Sequence, residues 1–412
     1  MSRIDDLIKK FCPNGVVIRT IADIASYTRG VTYSKNDERP GGLIRVLRSN
    51  NITLSSNTVN FDDVKTIADT VRVRENQWLR ANDILISAAS GSKAHVGKVA
   101  YIKEDINYCF GGFMAVLRTQ GGIESRFLFH LLIGKTFSDY LESALSTTTI
   151  NNLSASIMNG FRVPVPPLEV QQEIVRILDK FTELEAELEA ELEARKKQYA
   201  YYRDSLLSFP EGGVRRVPMG ELGEFIRGNG IQKDNLRESG VAAIHYGQIH
   251  THYGTAATEV ITFIDEELAR RSRRAIPGDL VIATTSENDE AVGKAVAWIG
   301  DEQVAISGDA FIFRHTLAPK YVSYFFQTDE FQSHKKRHIT GTKVRRISGD
   351  SLARIAIPLP PREEQDRIVN ILDKFDALVN DLSIGLPAEL IARRKQYEYY
   401  RDHLLTFEEA LV

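Results

Sequence analysis

The stretch PPLEVQQEIVRILDKF at residues 166–181 occurs again as PPREEQDRIVNILDKF at residues 360–375, an offset of 194 residues, and the architecture follows from this repetition. A second matching pair, ARKKQYAYYRDSLLSF at 194–209 and ARRKQYEYYRDHLLTF at 392–407, is offset by 198 residues. The difference of four residues is about one helical turn, so the buried face of a helix stays roughly in phase across it. A period this long is too large for a solenoid. It predicts a duplicated domain plus helix, with approximate two-fold symmetry inside one chain.

The repeat extends into the segments between the helices. Arg29-Gly30 matches Arg227-Gly228, and Asp83-Ile84 matches Asp279-Leu280. The order is cyclic, since Phe11 stands where Phe209 and Phe407 stand. We therefore divide the chain into an N-terminal helix end (1–11), a first module (12–165), a central helical spacer (166–209), a second module (210–359) and a C-terminal helical region (360–412).

Each module contains short β-type runs separated by turn signals and closes on a strand that runs into a Pro-rich stop. This pattern predicts an α+β protein with two similar mixed α/β modules, each with a β-rich core. Two long helices in a pseudo-two-fold, cyclically duplicated arrangement join them. The strand order does not follow from the sequence.

The helical regions have apolar residues at steps of mostly three, four and seven, which is helical periodicity. The first spans about 40 residues, or about 60 Å. In the second, Pro387 predicts a kink or restart because proline removes a helical N–H. We expect the two helices to pair as an antiparallel coiled coil; the alternative is that each packs only on its own module. The predicted spacer and subunit-interface residues are Gln171, Phe181, Leu184, Leu188, Leu192, Tyr199, Tyr202, Gln365, Phe375, Leu378, Tyr397 and Tyr400.

The segment ELEAELEAELEA at 183–194 is three copies of a four-residue unit. One interpretation is a good helix former with a solvated acidic face. The other is a ruler that sets the separation of the two modules.

Composition places the chain among globular proteins. It has 412 residues, of which 43% are apolar and 26% charged, and this length suggests two or three domains. Two cysteines cannot form a disulfide framework or a CxxC metal site, so we expect a cytoplasmic protein. The N-terminus does not resemble a secretory signal, and no stretch approaches 18 uninterrupted apolar residues.

Catalytic motifs are missing from the sequence. It contains no phosphate-binding GxxxxGK[ST] loop, no HExxH and no GxSxG elbow. His245, His250 and His252 lie close together, but no cysteine or carboxylate spacing nearby supports a metal site. We therefore expect a non-catalytic chain with no metal or cofactor of its own.

The charge is distributed unevenly. The overall net charge of −3 argues against a uniformly basic nucleic-acid binder. By segment, residues 11–165 carry a net +4 and residues 211–360 a net zero, whereas 166–210 and 361–412 carry −4 each. The excess of acidic residues is therefore in the helical regions, and the modules are neutral to basic.

Basic, amide and hydroxyl residues cluster in turn-like loops of both modules. Arg, Lys, Asn and Gln are the types that contact base edges, while Ser, Thr and Lys commonly contact phosphates. The alternative is that these are ordinary solvated loops. The candidate DNA-contact residues are Arg29, Arg48, Asn50, Asn51, Ser90, Lys93, His95, Arg227, Tyr246, Gln248, Thr285, Ser286, Asn288, Lys343, Arg345 and Arg346.

The paired PPxxxQ/DxxIVxILDKF and AR[KR]KQYxYYRDxLLxF segments resemble the specificity subunit of type I restriction–modification systems, over the whole chain. The resemblance implies two target recognition domains that each recognise half of a bipartite double-stranded DNA site. It also implies helices that separate these domains and dock two modification subunits, which carry the S-adenosylmethionine-dependent adenine methyltransferase. Motor–nuclease restriction subunits, which use ATP and Mg, would join them. A protein-interaction scaffold built on a coiled coil, and a self-contained enzyme with an unrecognised site, are the alternative hypotheses.

Overall fold

The computed structural model of the chain describes residues 3–90, 95–146, 152–210 and 212–410. The chain divides into two compact units, Met1–Leu188 with Leu390–Val412 and Glu189–Glu389. Each unit contains one β-rich module together with helical segments from both helical regions. The predicted domain boundaries mark where the modules end along the sequence, whereas the compact units include the helices packed on each module.

The first unit is built on an antiparallel four-stranded sheet in the order β2-β10-β7-β8, beside a three-stranded sheet in the order β6-β3-β9. Its strands are β1 (Val17–Thr20), β2 (Ala25–Arg29), β3 (Ile44–Leu47), β4 (Ile52–Thr53), β5 (Thr58–Val59), β6 (Lys65–Ile67), β7 (Ile84–Ser87), β8 (Val99–Tyr101), β9 (Cys109–Phe110), β10 (Met114–Thr119) and β11 (Arg162–Val165). Its helices are α1 (Arg3–Phe11), α2 (Ile21–Ile24), α3 (Ser125–Leu132), α4 (Lys135–Ser146), α5 (Ala155–Asn159) and the first part of α6 (Leu168–Leu207).

The second unit repeats this framework, with a main sheet in the order β13-β22-β18-β20-β15 and a second sheet in the order β16-β14-β21-β17. Its strands are β12 (Arg216–Pro218), β13 (Gly223–Arg227), β14 (Val241–Ile244), β15 (Ala256–Ala257), β16 (Thr262–Ile264), β17 (Arg274–Ala275), β18 (Leu280–Ala283), β19 (Thr285–Ser286), β20 (Ala295–Trp298), β21 (Val304–Ile306), β22 (Ala310–His315), β23 (Arg345–Arg346) and β24 (Ala356–Pro358). Its helices are α7 (Met219–Leu222), α8 (Tyr246–Thr251), α9 (Glu266–Arg271), α10 (Pro319–Phe325), α11 (Asp329–Lys336), α12 (Gly349–Arg354) and α13 (Arg362–Asn380); α14 (Leu386–Leu404) follows and ends in the first unit.

The repeated Asp-Ile and Asp-Leu pairs stand at the start of an inner strand of each main sheet, β7 in the first and β18 in the second. The Asp83 carboxylate is 2.7 Å from Arg118 Nε and accepts a hydrogen bond from the Arg80 N–H. Asp279 makes the equivalent ion pair with Arg314. Both aspartates are buried, so the ion pair is what allows a charged residue to stand at the edge of an apolar strand.

The helical segments within each unit pair antiparallel. In the first unit, Phe181 stacks on Tyr400 at 5.5 Å, and Arg394 Nε lies 2.5 Å from Glu185 Oε1. In the second unit, Tyr202 stacks on Phe375 at 5.3 Å. Both segments also pack on the module of their unit, so the helices pair as expected, and the alternative in which each packs only on its own module is wrong.

The C-terminal helical region is broken, as Pro387 predicted. Helix α13 ends at Asn380, and α14 begins at Leu386 with the proline in its first turn, where no N–H is needed. The Asp381 carboxylate accepts hydrogen bonds from the Ser383 N–H at 2.7 Å and the Ile384 N–H at 3.3 Å, and these hold the connecting turn. No helix among the described residues is long and apolar enough to cross a membrane.

Candidate nucleic-acid interface

A concave surface of the first module lies where several strands of its two sheets end. It holds a cavity of about 640 Å³ lined by four short segments of the chain. Three predicted DNA-contact residues, Arg48, Asn50 and Ser90, line this cavity together with Tyr33, Lys35 and Phe113. The structure therefore brings residues that are 40 positions apart in the sequence to one surface.

The turn at Arg48–Asn51 forms one wall of this cavity. Arg48 Nη2 lies 2.7 Å from the Asp63 carboxylate, and Asn50 Nδ2 donates to the same carboxylate at 3.1 Å. Asn51 is fully buried: its Oδ1 accepts the Arg48 N–H at 2.9 Å, and its Nδ2 donates to the Asn60 carbonyl. Asn51 holds the turn from inside, and its amide does not face solvent.

The remaining candidates of the first module lie around the ends of β2 and β7. Arg29 is half-buried at the end of β2, with Nη2 donating to Asn152 Oδ1 at 3.1 Å. His95 is exposed. Lys93 lies outside the described residues.

The second module uses the same turn with different residues. Gln248 Oε1 accepts the His245 N–H at 2.9 Å, as Asn51 accepts that of Arg48, and its Nε2 donates to Thr262 Oγ1. The Tyr246 N–H donates to Ser307 Oγ at 2.9 Å, and the Tyr246 ring lies 4.5 Å from that of His245. The repeated Asn and Gln are thus explained by a shared role in holding this turn.

Four candidates of the second module meet in one short ribbon. Thr285 pairs with Arg346 and Ser286 with Arg345 in the antiparallel pair β19–β23. Arg345 Nε lies 2.9 Å from the Asp289 carboxylate, whereas Arg346 is exposed. The ribbon directs one of its two arginines to solvent and uses the other to hold the neighbouring loop.

The other candidates of this module lie on loops around the ribbon and at the end of β13. Asn288 Oδ1 accepts the Ala291 N–H at 2.8 Å, and Lys343 is exposed. Arg227 is exposed, with Nε donating to the Gly308 carbonyl at 3.0 Å. Sequence reasoning missed Arg273, which is also exposed and donates to the Arg227 carbonyl at 2.8 Å. Arg227 and Arg273 come together because two loops pack on each other, and no sequence motif indicates this contact.

Lys335 stands in a basic run of the sequence but is fully buried. Its Nζ donates to the carbonyls of Glu290 at 2.9 Å and Val292 at 2.6 Å. Burial lowers the pKa of Lys335 to about 8. Lys335 thus fixes, from the buried side, the loop that contains Asn288.

Of the three clustered histidines, His245 and His250 are partly buried and His252 is exposed. Burial lowers the pKa of both His245 and His250 below the ordinary histidine value. His250 Nε2 lies 3.0 Å from the Thr285 carbonyl, which ties helix α8 to the ribbon. Among the residues that the structure describes, no group of three or more His, Cys, Asp or Glu side chains is placed to hold a metal ion.

Two of the predicted interface residues have a purely internal position. Gln171 is fully buried: its Oε1 accepts the Glu124 N–H at 2.8 Å, and its Nε2 donates to the carbonyls of Gly122 and Pro166. Gln365 makes the equivalent bonds with Ala318 and Pro360. Each glutamine fastens the start of its helix to the module of its own unit, so neither presents its amide to a partner subunit.

The rest of the predicted interface residues follow the helix pairing within the units. Leu192, Tyr199 and Tyr397 are buried; Phe181, Leu184, Leu188 and Phe375 are partly buried; Tyr202, Leu378 and Tyr400 are 38–39% exposed. The neighbouring Tyr201 and Tyr399, which the periodicity did not select, are 69% and 66% exposed at equivalent positions of the repeat. The residue doublets YY therefore place one tyrosine in the helix pair and one on the surface.

Comparison with known proteins agrees with this duplication. Residues 13–194 and 212–392 each match the family described as the type I restriction modification DNA specificity domain. The chain is 36% identical over 285 residues to the EcoR124I/EcoR124II specificity subunit of Escherichia coli, covering 66% of this chain and 68% of that one. It is 29% identical over 349 residues to a putative specificity subunit of Haemophilus influenzae, covering 76% and 84%. A chain from a solved type I R-M system has the same fold, with a TM-score of 0.65 at 18% identity, covering 95% of this chain and 98% of that one.

Proposed function

Since the chain belongs to the type I restriction–modification DNA specificity family and has its two recognition domains, we propose that each module recognises one half of a bipartite DNA site. The observation that carries this proposal is that one backbone framework presents different side chains in the two modules. At the equivalent turns, Arg48 and Asn50 of the first module stand where His245 and Gly247 stand in the second. Equivalent loops with different polar groups suit two different base sequences.

We further propose that the helices dock two modification subunits. The helices would also set the length of the DNA spacer between the half-sites, whose sequence is not recognised (the unread spacer). The exposed Tyr201 and Tyr399 support the docking, because exposed aromatic residues are enriched at protein interfaces. S-adenosylmethionine, ATP and Mg would belong to the modification and restriction subunits. This chain would contribute recognition and no catalysis.

The test is expression of the chain with its modification subunit, followed by sequencing of methylated bases in the genome. A single bipartite motif is expected. Replacement of Arg346 in the second module by alanine should alter one half of that motif only. Unpatterned methylation, or equal change in both halves, would contradict the proposal. The purified chain alone should have no methyltransferase activity.

A further inference from the structure

A short turn before the last strand of the first main sheet holds a large apolar side chain in solvent. The turn consists of Gly111, Gly112 and Phe113, and the Phe113 side chain is 73% exposed. Phe113 belongs to none of the apolar clusters formed by the described residues. An exposed phenylalanine ring at a fixed turn is available to contact a ligand through its apolar surface.

This turn is held rigidly by its neighbours. The Phe113 carbonyl accepts hydrogen bonds from the N–H groups of Ala88 at 2.8 Å and Ala89 at 3.0 Å, at the end of β7. On the other side, Gly30 packs so closely that a Cβ there would lie 2.2 Å from the Gly111 carbonyl oxygen. This contact explains the glycine of the repeated Arg-Gly pair. A rigid turn presents its side chain in one place, as recognition of a base requires.

The second module has the same turn with a different residue at its tip. A Cβ on Gly228 would lie 2.2 Å from the Ser307 carbonyl oxygen, and the Asp309 carbonyl accepts the Thr284 N–H at 3.0 Å. Asp309 thus occupies the place of Phe113. The Asp309 side chain is partly exposed, and its negative charge acts on His245, where it opposes the lowering of the pKa by burial.

The surroundings of Phe113 are suited to DNA. The ring lies at the cavity of about 640 Å³, whose lining includes the cationic side chain of Lys35, Arg48 in its ion pair with Asp63, and the carboxylate of Glu38. The Ser34 hydroxyl, which donates to Asp37, also lines it. Cations and hydroxyls commonly hold phosphates, while apolar side chains contact the C5-methyl group of thymine in the major groove.

We propose that the tip of this turn specifies one base pair in each half-site. Phe113 contacts a thymine methyl group in the first half-site, and Asp309 accepts a hydrogen bond from an exocyclic amino group of cytosine or adenine in the second. The proposal rests on the proposed function, because it requires that the modules recognise DNA.

The experiment uses the chain co-purified with its modification subunit and duplexes carrying the methylated motif. Each thymine of the first half-site is replaced in turn by uracil, which differs from thymine only by the missing C5-methyl group. At one position the wild-type complex should bind about fourfold more weakly, the effect of one buried methyl group. The Phe113→Ala complex should have the weaker affinity with either base and show no further loss with uracil.

Asp309 provides the matched variant. Asp309→Asn, whose amide both donates and accepts, should relax the choice between amino and keto bases at one position of the second half-site and leave the first unchanged. Phe113→Ala should leave the second half-site unchanged. If the wild-type complex has a bipartite motif and Phe113→Ala retains the full uracil effect, the inference is overturned while the proposed function stands. If the wild-type complex has no motif, the proposed function itself fails.

Discussion

Replacement of Gln171 by leucine tests how firmly helix α6 is fastened to the first module. The side chain is fully buried and makes three hydrogen bonds, to the Glu124 N–H and to the carbonyls of Gly122 and Pro166. Leucine has a similar volume but leaves all three groups without this partner. A buried polar group without a partner costs about 1–3 kcal/mol. Allowing for the apolar gain of leucine, we expect a net loss of about 3 kcal/mol from the free energy of unfolding of the first unit.

The two tryptophans provide a separate probe for each unit. Trp78 lies in the first unit and Trp298 in the second, and the chain contains no other tryptophan. In a Trp298→Phe background, thermal unfolding followed by tryptophan fluorescence therefore reports on the first unit alone. For a unit of roughly 200 residues, a loss of about 3 kcal/mol lowers Tm by about 6–12 °C.

Gln172 is the control, because it is the same residue type one position along the helix and is exposed. Gln172→Leu should change Tm by less than about 2 °C. Equal Tm values for Gln171→Leu and Gln172→Leu would show that the buried amide does not fasten the helix. In a Trp78→Phe background, Gln365→Leu should destabilise the second unit in the same way.

Three further predictions concern spacing, pH and partner binding. Insertion of one more ELEA unit after residue 194 adds about 6 Å of helix and should lengthen the unread spacer of the methylated motif by one or two base pairs; an unchanged spacer in methylome sequencing would exclude the ruler. Burial lowers the pKa of His315 to about 4, although the Asp279 charge opposes the shift. The folded state therefore resists protonation, so the second unit should lose about 3 kcal/mol as the pH falls from 6.5 to 4. His315→Phe should reduce that loss, and Trp298 fluorescence in urea at each pH, in the Trp78→Phe background, measures it; the same pH dependence in both proteins would contradict this. Tyr201→Ala and Tyr399→Ala should each weaken co-purification of the modification subunit, and the double variant should weaken it further; full recovery with the double variant would place docking elsewhere.

Much of the fold follows directly from the sequence. The paired segments at 166–181 and 360–375 predicted the duplication, and the periodicity placed α6 within one or two residues of its observed ends. The break near Pro387 was also predictable, because a proline's effect on a helix is local. The strand order was not, since it depends on contacts between segments far apart in the chain.

The candidate site was only partly predictable. Residue type selected Arg48, Asn50 and Ser90, and the structure places these three along one cavity. The same reasoning also selected Asn51, which is buried beneath that surface, and passed over Phe113, which is exposed on it. A polar residue that holds a turn and one that contacts a ligand have the same appearance in a sequence.

The duplicated module and the two helical regions follow from the sequence alone, because repetition and helical periodicity are recorded in the order of residues. Which polar side chains hold the framework and which face outward depends on the tertiary structure. Gln171 and Gln172 illustrate the reason: successive helical residues point about 100° apart, so one amide is fully buried against the module and the other lies in water. Burial depends on what packs against each face, and that is set by residues distant in the chain.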